Sequence, residues 1–134
     1  MIFSKDRFNR RRVPTVPCVY CITNLINNKE YIGSTSNARL RLNSHYDALK
    51  KKTTHCPEML QDFMDGNIFE FEILYVPARI DSRATEICKR VETWFIIKNN
   101  TVDNGYNKSY NYTNEKSLKT KPISPNSADR LFVV

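Results

Sequence analysis

The stretch CVYCITNLINNKEYIGS, residues 18–34, decides the fold. Val19, Tyr20 and Ile22 start an apolar-aromatic run. The Asn-rich NLINNKE then supplies a polar turn, and EYIG is a returning run, so the segment reads as a β-hairpin. Gly33, without a Cβ, is expected to end the second strand where backbone or ligand approaches closely. Side chains alternate across a strand, so Tyr20 and Tyr31 on paired strands can point to one face. By the same alternation Cys18 and Cys21, three apart, point to opposite faces and make a poor metal clip, with His55 and Cys56 the only other plausible ligands nearby.

Outward from the hairpin the elements alternate in kind. STSNARLRLNSHYDALKKK has Ala38, Leu42, Tyr46 and Leu49 at helical spacing, with Ser34, Thr35 or Ser36 as the cap. Arg41 and His45, four apart, stack on a neighbouring face of that helix. Pro57 to Met64 reads as a second helix stopped by Gly66. In NIFEFEILYV, Phe69, Phe71 and Ile73 alternate with Glu70 and Glu72, a half-buried strand. A third helix opens at Asp81 or Ser82 and runs to about Lys98, with Ile87, Val91, Trp94 and Phe95 inward. The order β, β, α, α, β, α predicts an α+β fold, a small three-stranded antiparallel sheet flanked by helices. Residues 1–16 read as a basic N-terminal arm, 17–110 as the domain and 111–134 as a polar tail.

The net charge of +7 is concentrated at the front: residues 1–52 carry 11 Lys and Arg against 3 Asp and Glu. A basic half implies a polyanionic partner, and phosphate backbone is the usual one. Arg10, Arg11, Arg12, Arg39, Lys50, Lys51 and Lys52 are the expected DNA-binding residues. They track phosphates and give salt-sensitive, weakly specific binding. No apolar run approaches a membrane span, and the N-terminus lacks the apolar stretch of a secretory signal, so the chain is expected to act inside a cell.

Tyr20, Tyr31, Arg41, His45, Glu92 and Asn107 each have an ordinary structural explanation alone. Their ordered set resembles the GIY-YIG nuclease family, and most closely the catalytic domains of phage mobile endonucleases. CVY stands for the first motif, with Cys and Val in place of Gly and Ile, and YIG is the second. Arg41 and His45 follow on the helix, GNIFEFEIL matches the later strand, and Glu92 and NGYN complete the pattern across residues 17–110. The resemblance implies a metal-dependent DNA endonuclease. In it Glu92 holds Mg²⁺ (or Mn²⁺), Arg41 holds the phosphate and Tyr20 acts as the base. Tyr31 orients phosphate or water, His45 stabilises or relays, and Asn107 braces the site. A phenol with a reference pKa of about 10 is a poor base at neutral pH unless its surroundings help. The chain is expected to act as a monomer or as a transient dimer on DNA. The alternative reading is a nucleic-acid-binding module that keeps the fold without turnover.

Overall fold

The computed structural model describes residues 1–108 and 121–131. Its centre is an antiparallel sheet of four strands, β1 (Ile2–Phe3), β2 (Cys18–Asn24), β3 (Glu30–Thr35) and β4 (Phe69–Tyr75), in the order β1-β4-β2-β3. The hairpin is the expected one. Cys18 faces Thr35, Tyr20 faces Gly33 and Ile22 faces Tyr31. Asn28 takes a left-handed conformation in the turn (φ 63°), which asparagine tolerates better than most residues.

Three expectations need correcting here. The sheet has a fourth strand, because Ile2 and Phe3 pair with Glu70 and Phe69. Phe3 is fully buried, so the N-terminal segment is not a free arm; a two-residue strand inside a basic stretch has too little periodicity to be read. The second change is at Gly33, which does not end β3. Ser34 and Thr35 go on pairing with Val19 and Cys18, and the helix cap therefore falls to Asn37, whose side chain accepts from the Leu40 amide. Third, the tail is partly docked. A C-terminal helix (Pro125–Arg130) buries Ala128 completely, and the Ile123 amide donates to the Arg90 carbonyl at 3.2 Å. The rest of the expected tail, 111–120 and 132–134, lies outside the described residues.

Each face of the sheet has its own core. Cys18, Tyr20, Ile22, Phe69 and Phe71 pack under α1 (Ala38–Lys51) and α2 (Pro57–Met64), against Leu42, Leu49, Met59 and Phe63. Val19, Cys21, Ile32 and Tyr75 pack under α3 (Ala84–Asn99), against Ile87, Cys88, Val91 and Ile96. Cys18 and Cys21 thus lie on opposite sides. The bulky Cys18 in the first motif is absorbed by full burial, which pushes its thiol up to about 12. The α1 stripe is Ala38, Leu42, Tyr46 and Leu49, as its spacing predicts. In α3 the inward set differs. Trp94 and Phe95 are only half-buried, and Lys98 Nζ lies 4.5 Å from the Trp94 ring centroid. The freed inward places are taken by Cys88, Glu92, Thr93 and Ile96.

The N-terminal segment runs antiparallel along α1. Arg39 Nε donates to the Val13 carbonyl at 2.7 Å, Arg10 pairs with Asp47 at 2.6 Å, and Lys50 Nζ donates to the Lys5 carbonyl at 3.1 Å. Three of the expected phosphate contacts therefore also tie this segment to the helix. Arg11 and Arg12 are exposed near the start of α1, and Lys51 and Lys52 are exposed at its end. No helix among the described residues is long and apolar enough to cross a membrane.

Candidate active site

The β3 edge is where the two helical layers meet. From one side α1 brings Arg41 and His45; from the other α3 brings Lys89 and Glu92, one turn apart. Between them is a polar cavity of about 300 Å³ lined by Tyr20, Tyr31, Gly33, Arg41, Glu92 and Asn107, with Ile32, Ser34 and Lys89 completing the wall.

Tyr20 belongs to β2, an interior strand, so its ring has to cross β3 to reach that edge. Gly33, directly opposite, is what allows the crossing. A Cβ at Gly33 would stand 2.4 Å from the Tyr20 hydroxyl oxygen and 2.5 Å from its Cζ. Such an overlap requires the ring to move. The ring stacks on Phe71 with centroids 5.2 Å apart, and its hydroxyl lies 2.7 Å from His45 Nε2. Tyr31 lies beside both, with ring centroids 6.3 Å from Tyr20 and 5.3 Å from His45.

Burial sets the protonation states. It raises the Tyr20 phenol well above its usual value, reinforced by Tyr31 and Glu92 and opposed by the Arg41 charge. Tyr31 is raised for the same main reason, burial, then by Glu92, again against Arg41. His45 goes the other way, pulled down to about 4 by burial and then by Arg41. At neutral pH the imidazole is thus uncharged and the phenol protonated, and in the Nδ1–H tautomer of His45 the Tyr20 hydroxyl donates to Nε2. An unfolded histidine takes a proton near pH 6.5, and this one resists until about 4, so the unfolded state binds more protons in between. Stability is therefore full above about pH 6.5 and declines toward pH 4, by up to about 3 kcal/mol from this group. Urea unfolding at pH 7 and pH 4.5 should show that loss, and His45→Gln should flatten it.

Asn107 acts on the strand itself. Its Oδ1 accepts from the Ile32 amide at 2.8 Å and its Nδ2 donates to the Ile32 carbonyl at 2.9 Å, so one side chain stands in for a neighbouring strand at the β3 edge. The turn before it is equally tight: Tyr106 N donates to the Glu30 carbonyl at 2.8 Å, and a Cβ at Gly105 would stand 2.5 Å from that oxygen. Asn107→Ala should leave two buried backbone groups unpaired, at about 1–3 kcal/mol each. Denaturant titration should record a loss in that range, and Asn107→Asp should restore little, since its carboxylate faces the Ile32 carbonyl.

Glu92 is 8% exposed, and its charge is felt by both phenols. No group of three His, Cys, Asp or Glu that could hold a metal occurs among the described residues. A single carboxylate in a polar cavity still suits Mg²⁺, which keeps several waters and takes further oxygens from a phosphate. The donor set fits that cation and not zinc, for which the cavity wall offers no thiol or imidazole.

All six residues expected from the sequence meet here: Tyr20, Tyr31, Arg41, Glu92 and Asn107 line the cavity and His45 holds the Tyr20 hydroxyl. Lys89 and Ser34 were not anticipated. Lys89 was legible in principle, three residues before Glu92 on one helix. The GIY-YIG catalytic-domain family model matches residues 16–107. The chain belongs to the GIY-YIG family. Two solved structures of homing endonuclease I-TevI align with this GIY-YIG nuclease. One is the catalytic domain of a Glu-to-Ala mutant, at TM-score 0.62 and 26% identity over 73% of this chain and 98% of that one. The other is the catalytic domain of I-TevI, at TM-score 0.60 and 28% identity over 69% and 98%. No curated protein matches the chain.

Proposed function

We propose that this GIY-YIG endonuclease hydrolyses DNA phosphodiester bonds in the cavity at the β3 edge, with Mg²⁺ or Mn²⁺ held by Glu92. The observation that carries the reading is the meeting of Arg41, Glu92 and two phenols in one cavity, with a neutral histidine 2.7 Å from the inner phenol.

Arg41 binds two phosphoryl oxygens through its planar guanidinium. Tyr31 donates to the phosphate or to the attacking water. Glu92 would hold the divalent cation, which when bound would supply positive charge to stabilise the phosphate and its leaving group. Tyr20 is not a standing phenolate, because burial and Glu92 hold its proton on. It works as a relay: as the water oxygen bonds to phosphorus, the water's proton passes to the Tyr20 oxygen and the phenol's proton passes to His45 Nε2. The bond from phosphorus to the leaving oxygen breaks, solvent returns a proton to that oxygen, and His45 gives its extra proton up to solvent.

DNA approaches along α1 and the N-terminal segment, where Arg11, Arg12, Lys51 and Lys52 neutralise phosphates. Contacts of this kind position without reading sequence. Binding is therefore weakly specific and falls steeply with salt. One catalytic cavity per chain implies nicking by a monomer, and cutting of both strands by two events or a transient dimer. The protein acts inside a cell.

The test is incubation with supercoiled plasmid in Mg²⁺ or in EDTA. Nicked or linear product in Mg²⁺ alone is the expected result. Plasmid that is bound but uncut in both Mg²⁺ and Mn²⁺ overturns the reading in favour of a DNA-binding module.

A further inference from the structure

Beside the catalytic cavity is a second and larger one, of about 410 Å³, between α1, the α1–α2 loop and the turn that carries Asn107. Tyr31, Arg41 and Asn107 wall both cavities, so the two adjoin at Arg41 and Tyr31, the residues assigned to the phosphate. The second has a different chemistry. Tyr31, His45, His55 and Tyr106 bring four rings to its walls, and Met59 and Ala48 add apolar surface.

These walls are held before any ligand arrives. The Tyr106 hydroxyl donates to Asp62 Oδ2 at 2.5 Å and accepts from Asn24 Nδ2 at 3.0 Å, which fixes its ring. Tyr31 is edge-on to His45 at an interplanar angle of 72°. The Asn107 amide is committed to Ile32, leaving the hydroxyls of Ser44, Thr53 and Thr54 as polar groups of the wall. None of the lining residues is acidic, whereas Arg41 and Lys108 are cationic. Aromatic rings, a thioether, a few hydroxyls and two cationic side chains match a nucleobase attached to its phosphate.

We infer that this cavity receives an unstacked nucleobase of the substrate strand, next to the phosphate being cut. The inference rests on the hydrolytic reading above, since the shared wall at Arg41 is what places the base beside the scissile phosphate. Taking a base out of a duplex costs unstacking energy, least where the strand is already mismatched or single. The enzyme should therefore favour sites where that base is easily freed. The three hydroxyls supply a modest preference among bases.

The test uses amide spectra of the whole chain in EDTA, with orthophosphate, the four deoxynucleoside 5′-monophosphates and a short single-stranded trinucleotide as probes. Orthophosphate is expected to move Arg41 and Lys89 only. The nucleotides should move Ala48, Thr53, Thr54 and Met59 as well, and the trinucleotide should move both sets at lower concentration because one strand spans both cavities. Ala48→Phe and, at the exposed rim, Thr53→Trp should each weaken the second response at least about tenfold while the phosphate response persists. Two variants are used so that a folding defect in one does not decide the matter. Nucleotides that move no more than orthophosphate moves would overturn the inference. So would mononucleotides binding where the trinucleotide does not, which would mean a free-nucleotide site. Plasmid cleavage is scored separately, and its absence counts against the hydrolytic reading alone.

Discussion

Glu92→Gln is expected to lower DNA cleavage at least about a thousandfold, equivalent to about 4 kcal/mol of barrier. The substitution keeps size and hydrogen-bonding capacity but removes the charge on which cation binding depends. The fold should survive it. Glu92 is 8% exposed, and the amide has nearly the volume of the carboxylate it replaces, so the packing around α3 changes little. Single-turnover cleavage in Mg²⁺ gives the rate, and DNA binding in EDTA gives the control. Binding within about threefold of wild type, with cleavage lost, is the expected pair. Raising the metal concentration should recover little. A variant that cuts within tenfold of wild type would remove Glu92 from the chemistry.

Tyr20→Phe should slow the chemical step by about a hundredfold or more, the range in which a positioned proton acceptor acts. The ring remains stacked on Phe71 and still fits over Gly33, so the packing changes little. What disappears is the oxygen 2.7 Å from His45 Nε2. In a relay the two residues act as one unit. Tyr20→Phe combined with His45→Gln should then be no slower than the worse single variant, because the first substitution already breaks the path. Multiplying effects would mean that phenol and imidazole act independently. The wild-type rate should also show no inflection from His45 between pH 6 and 7, since burial and Arg41 keep it neutral down to about 4.

The fold around this site is legible from local periodicities, whereas the site residues themselves stand out only through the family resemblance of their ordered set. The hairpin follows from two apolar runs around an Asn-rich turn, and the α1 stripe from Ala38, Leu42, Tyr46 and Leu49. Once β2 and β3 pair and α1 covers one face, Tyr20, Tyr31 and His45 have little freedom to be elsewhere. What was not legible depends on edges and on chain returning from far away. The Ile2–Phe3 strand is two residues long and finds its place only because β4 offers an open edge. Asn107 reads as a turn residue, and its two bonds to Ile32 exist only because β3 is also an edge. Gly33 reads from the sequence as a place where backbone or ligand comes close, whereas the structure puts the Tyr20 side chain there. Hydrophobicity alone points Trp94 and Phe95 inward, but helix phase turns Glu92, Thr93 and Ile96 in and leaves those rings at the boundary.

Hydrolysis at the β3 edge, as proposed, requires one divalent cation at Glu92, where the phosphate is cut. Titrating Mn²⁺ into the protein and following paramagnetic broadening of the amide signals tests it most directly. Broadening should begin at residues 31–34 and 89–92, spare Thr53 and Thr54, and vanish in Glu92→Gln. Broadening centred elsewhere, or the same pattern in Glu92→Gln, would contradict it.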